Sequence, residues 1–124
     1  MRSGFVIAAV ALALVAAGPA SAATKRFRTP SNNIHCLYSP SGGPEAFLRC
    51  DVLSLNDTGF VLLRGQRGKR VRVTDSVAGS RSRVLRYGRK LALGPFRCAS
   101  RRSGLTCRQA GHGFSLSRER QRVF

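Results

Sequence analysis

Two histidines, four cysteines and a large surplus of arginine are the residues of this chain that could do chemistry. His35 and His112 are the only histidines, and two imidazoles beside a cation can run the acid and base steps of phosphodiester cleavage, with Asp51 or Glu119 to orient one ring. Neither histidine lies in a known catalytic spacing. His35 falls inside a segment of strand character next to Cys36, and His112 stands between two glycines, where a turn residue bonded to backbone is the simpler role. A G-x-S-x-G nucleophile elbow is absent from the sequence. No two of its five Asp and Glu residues have a spacing that suggests a glycosidase pair. The sequence therefore assigns no catalytic residue and no cofactor.

Cys36, Cys50, Cys98 and Cys107 are an even set, which in an exported chain reads as two disulfides. Three pairings are possible. Cys36 with Cys50 and Cys98 with Cys107 are favoured because each pair flanks a short segment rich in turn residues. Paired thiols leave no cysteine nucleophile. A zinc site from Cys98, Cys107 and His112 would use the same residues, but the chain has no C-x-x-C pair and no finger-like spacing, so no metal is assigned.

Export is expected from the first 22 residues. Arg2 gives a positive start, Phe5 to Ala17 is an unbroken apolar run, Gly18 and Pro19 break it, and Ala20-Ser21-Ala22 has the A-x-A form of a cleavage site. The run is too short to span a hydrocarbon core, which takes about 20 residues. Residues 1–22 are thus read as a signal peptide and 23–124 as a single small domain, secreted or periplasmic, with no second apolar run of spanning length. Only Arg2 is lost with the leader, so the mature chain keeps nearly all of the +17 net charge. A field of that size attracts anionic polymers without needing a pocket: wall or envelope polysaccharide, lipopolysaccharide or nucleic acid. Arginine far outnumbers lysine alongside much Ala and Gly, as a GC-rich coding sequence also produces, so charge alone shows a capacity for anions.

The elements that must position these residues read as strands. Residues 34–38 and 46–52 flank the breaker Pro40-Ser41-Gly42-Gly43-Pro44, and 96–100 and 105–108 flank a basic turn at Arg101-Arg102-Ser103-Gly104. Both look like stapled hairpins. Residues 60–63 and 70–74 flank Arg64-Gly65-Gln66-Arg67-Gly68-Lys69, read as a solvated tip, with Val71 and Val73 on one face and Arg70, Arg72 and Thr74 on the other. Residues 23–28 read as a basic entry, 113–116 as a strand, and 117–124 as a basic turn with a last aromatic. Val84 to Gly88 is ambiguous, since Val84, Tyr87 and Leu91 also fit a helical face. No stretch of a dozen residues after the leader combines helical period with freedom from Gly and Pro. The expected class is all-β, a small disulfide-stapled antiparallel sheet, sandwich-like or a partly open barrel.

Phe27-Arg28-Thr29-Pro30-Ser31-Asn32-Asn33-Ile34-His35-Cys36, Leu48-Arg49-Cys50-Asp51-Val52, Val84-Leu85-Arg86-Tyr87-Gly88 and Gly104-Leu105-Thr106-Cys107 running into Gly111-His112-Gly113-Phe114-Ser115-Leu116-Ser117-Arg118 resemble a bacterial family of small exported proteins. That family, from actinobacteria and some proteobacteria, is catalogued as a domain of unknown function. The resemblance implies one domain with cysteine staples and no stated activity. Two departures stand out. Asn32 replaces a typical Gly, and Asn is the next best residue for a left-handed backbone; a further cysteine pair of many members is missing at both ends, as a disulfide tolerates.

The sequence thus points to a non-enzymatic basic module that binds anionic polymers or envelope surfaces through Arg64, Arg67, Lys69, Arg70 and Arg72, with Arg101 and Arg102 as a second cluster. The competing readings are a secreted hydrolase of phosphodiesters or wall polymer using His112 with His35, and an inhibitor or structural partner docking through a stapled hairpin loop.

Overall fold

Short runs of alternating apolar and polar residues, broken by Gly, Pro and Asn, set the secondary structure. The computed structural model describes residues 3, 4, 6, 9–11, 23–40, 46–79 and 81–124. Most of the apolar leader, its cleavage site at 20–22, and residues 41–44 of the breaker cluster lie outside the described residues. Among those described there are eleven strands and no helix.

The first sheet holds β1 (Lys25–Arg28), β2 (Ile34–Ser39), β3 (Phe47–Val52), β4 (Thr58–Leu63), β5 (Lys69–Arg72) and β6 (Arg83–Val84), in the order β5-β4-β3-β2-β1-β6. The second holds β7 (Lys90–Leu93), β8 (Phe96–Arg101), β9 (Gly104–Gln109), β10 (His112–Leu116) and β11 (Gln121–Val123), in the order β11-β10-β9-β8-β7. Both sheets are open, and together they form an all-β sandwich rather than a closed barrel.

Both predicted disulfides are present, Cys36–Cys50 across β2 and β3 and Cys98–Cys107 across β8 and β9, each with Cα atoms 4.1 Å apart. In both, the cysteines are direct cross-strand partners whose side chains face the core. Each bridge lies in the middle of an apolar rung. In the first sheet the rung reads Phe27, Cys36, Cys50, Phe60 from β1 to β4; in the second it reads Leu91, Cys98, Cys107, Phe114, Val123 from β7 to β11. The rungs meet where Phe60 packs against Phe114, with ring centroids 6.2 Å apart, and Tyr38 meets Phe96 edge-on at 6.0 Å.

Several segments differ from the sequence-based expectation. Residues 25–28 pair with β2 instead of merely leading in, and 121–123 add an edge strand to β10. Lys90–Leu93 forms β7, so Leu91 belongs to a strand and not to a helical face. Of the ambiguous stretch only Val84 is in a strand, and the β6–β1 pairing is parallel, the exception in an otherwise antiparallel pair of sheets. A parallel partner at the far edge requires a long crossover. The described residues between β5 and β6, 73–79 and 81–82, run over the outer face of the first sheet.

That crossover is held by polar anchors. Asp51 Oδ2 accepts from the Val77 amide at 3.1 Å, Arg49 donates to Asp75 Oδ1 at 2.9 Å and to its carbonyl at 3.0 Å, and Arg28 donates to the Ser82 carbonyl and hydroxyl. Arg49 also forks onto Asp51 at 2.9 and 3.0 Å.

The predicted solvated tip at 64–69 is docked at two points. Gly65 N–H donates to Gln109 Oε1 at 2.7 Å, and Gly68 N–H donates to the Phe124 carbonyl at 3.0 Å. A Cβ at Gly68 would sit 2.1 Å from the Gly113 carbonyl oxygen, so only glycine permits this approach. Asn32 has φ 61°, the left-handed turn that its replacement of Gly implied.

Candidate anion-binding face

With Cys98 and Cys107 turned inward, strand alternation sends the intervening residues of β8 and β9 to the outer face of the second sheet. One rung there reads Lys90, Ala99, Thr106, Ser115, Arg122 from β7 to β11. The next places Arg97 directly opposite Arg108. The face is concave, with a floor of Ala99, Thr106 and Ser115, and the two hydroxyls bond each other at 3.0 Å. Around that floor stand Lys90, Arg97, Arg101, Arg108, Arg120 and Arg122, with Glu119 the single carboxylate lining the same hollow among the described residues.

The rim cations are partly ordered by their neighbours. Arg97 Nη1 donates to the Gly94 and Phe96 carbonyls at 2.8 and 2.9 Å. Arg122 and Arg108 lie over the Phe124 ring at 4.9 and 5.8 Å, a cation–π arrangement. Among the described residues both salt bridges involve Arg49, so these guanidinium groups face solvent without a carboxylate partner.

The basic residues singled out from sequence are spread around this hollow. Arg101 is on its rim, whereas Arg102 sits over Tyr87 at 5.4 Å. Arg64 is exposed at the β4–β5 tip, Arg67 donates to the Val123 carbonyl at 3.3 Å, and Lys69 donates to Gln66 at 3.1 Å. Arg67 therefore touches β11, the strand that carries Arg122. Arg70 lies over Phe60 at 5.8 Å and Arg72 is exposed. Lys90, Arg97, Arg108, Arg120 and Arg122 were missed because they are scattered over four segments. The signal was available: once the cysteines are placed inward, Arg97, Ala99 and Arg101 on one strand and Thr106 and Arg108 on the next must point outward.

The histidines are not brought together. His35 projects from the outer side of the first sheet, directly across from Asp51, and is 4% exposed. His112 begins β10 in the second sheet, paired with Gln109 beside a turn. Asp51, the carboxylate offered to orient a ring, is engaged by Arg49 and the Val77 amide. The hydrogen bond to Asp51 is the first cause that holds the Arg49 guanidinium above its ordinary value. The Asp75 carboxyl is held below the usual aspartate range, first by its hydrogen bond from Arg49 and then by the charge. No group of three or more His, Cys, Asp or Glu among the described residues is placed to hold a metal ion.

Comparison with curated proteins and with solved structures finds no match for this chain. A family model does match it, over residues 48–124, from β3 to the last residue and through the whole basic face. That match covers more than half of the sequence, and the chain belongs to the family of unknown function DUF6636.

Proposed function

We propose that this protein is a non-enzymatic basic module of a bacterial exported family, whose mature form begins at Ala23 and binds anionic polymers through the outer face of β7–β11. The observation that carries this reading is the hollow itself: six cations and a single carboxylate, Glu119, ring a neutral, hydroxyl-bearing floor. Neighbouring strands lie about 4.8 Å apart, so successive anionic groups of a chain crossing them meet Lys90 at one edge and Arg122 at the other. The Thr106 and Ser115 hydroxyls suit sugar or phosphate oxygens between the charges. The basic β4–β5 hairpin, joined to β11 by Arg67, extends the surface. Leader composition and two core disulfides support export.

Immobilised heparin, polyphosphate and duplex DNA are suitable probes. Binding is expected to weaken steeply between low and high salt, by counterion release, and to fall strongly in the variant carrying R97Q, R108Q and R122Q. Binding that ignores salt, or that survives those three substitutions, removes the proposal. Export is checked by the N-terminus of material from the native cell.

A further inference from the structure

A second concavity, of about 810 Å³, opens on the outer side of the first sheet, between the β5–β6 crossover and the turn after β3. Its character differs from that of the basic face. Leu53 and Val84, 45% and 39% exposed, are among the few large apolar side chains left to solvent, and both line it. Arg28 and Arg86 line it too, and neither forms an ion pair among the described residues.

His35 lines the cleft from β2 and is buried. Its Nε2 lies 3.2 Å from the Asn32 carbonyl oxygen, which can only accept, so Nε2 carries the hydrogen. The other ring nitrogen, Nδ1, is buried with no hydrogen-bond partner. Buried polar atoms without a partner are rare in folded proteins, and a ligand or ordered water is their usual explanation. The hollow is of the size that takes small molecules, and its lining mixes apolar side chains, Pro30, Leu53, Ala78 and Val84, with the polar Arg28, Asn32, His35 and Arg86.

We infer that this cleft binds a small organic acid with an apolar body: Arg28 and Arg86 hold the carboxylate, Leu53 and Val84 flank the hydrocarbon, and His35 is the polar floor. Two guanidinium groups, one already donating to Ser82, match one negative charge better than two. An apolar rim has no use for a bare inorganic anion. The site is separate from the basic face and does not depend on it.

Octanoate is the probe, added to the purified disulfide-bonded protein and followed by amide NMR and by the imidazole nitrogens of His35. Saturable shifts are expected at Leu53, Val84 and the His35 ring. Arg86→Gln, on an exposed residue, is expected to weaken binding by about tenfold or more, and Val84→Asp, which sets a carboxylate at the mouth, to abolish it. The amide spectrum of each variant reports that it is folded. Arg97→Gln is expected to leave octanoate binding unchanged, and Arg86→Gln to leave heparin binding unchanged, so this proposal and the polymer reading fail independently. Four results would overturn it: no saturable shift, inorganic phosphate or octanol binding as well as octanoate, a silent His35 ring, or equal effects of Arg86→Gln and Arg97→Gln.

Discussion

Arg97 on β8 and Arg108 on β9 stand directly opposite each other on the solvent side of their sheet, with no ion-pair partner among the described residues. Like charges in this relation destabilise a strand pair by a few tenths of a kcal/mol. Arg108 regains a comparable amount over the Phe124 ring. Arg108→Gln loses both terms, so its unfolding free energy should stay within about 0.5 kcal/mol of the parent. Its affinity for DNA should drop, and the slope of log K against log salt should become shallower by about 1. Denaturant unfolding and a salt titration measure the two; a variant that loses stability along with affinity would speak against a surface role.

The two disulfides close loops of similar size, with sequence separations of 14 and 9. Loop entropy gives each about 3 kcal/mol and a difference of only about 0.4 kcal/mol between them. C36A/C50A and C98A/C107A should therefore lower stability to nearly the same extent, each dropping Tm by about 10–20 °C. Calorimetry checks this, and a large asymmetry would mean that packing around one bridge dominates.

Arg49 reaches two aspartates of unequal burial, and their removal should differ. Asp51→Asn leaves a half-buried guanidinium short of its main partner and should cost about 3 kcal/mol. Asp75→Asn, at a solvent-exposed carboxyl, should leave global stability nearly unchanged. Because Arg49 depresses the Asp75 carboxyl, that pair contributes in full above the ordinary aspartate value of 3.8 and is lost as pH falls through the lower folded value. Chemical shifts of Asp75 and Val77 should follow this acid loosening of the crossover, and Asp75→Asn should erase it.

Ser100 is 1% exposed and its hydroxyl has no hydrogen-bond partner. Ser100→Ala removes a desolvated donor and almost no volume, so it should stabilise the protein by up to about 1 kcal/mol. A measured loss of stability would show that the hydroxyl has a partner in solution.

What could be read beforehand was whatever had a local signal. The stapled hairpins were legible because Cys36, Cys50, Cys98 and Cys107 each lie in an apolar run bounded by turn residues, whereas the strand expected over 70–74 is β5, which starts at Lys69 and ends at Arg72, before Val73, and sets Arg70 beside the core residue Phe60. Strand β6 was not legible, since its two residues are paired by β1 from across the sheet and both are exposed. Strand β11 was hidden among arginines, its pairing supplied by β10 and by the bonds between Phe124 and Gly113. The basic face failed to appear as a motif for the same reason: its cations become neighbours only through strand register, and register is a property of pairs of segments. The cleft over His35 needed the crossover to be placed before it had a wall.

Both sulfur bridges lie at the centre of the sandwich, with all four cysteines at most 1% exposed. A small thiol in solution has no path to either bond while the molecule is closed. Reduction must then wait for opening, and at high reductant its rate should level off at the opening rate instead of rising with thiol concentration. The redox chemistry of this protein thereby becomes a clock for its own breathing.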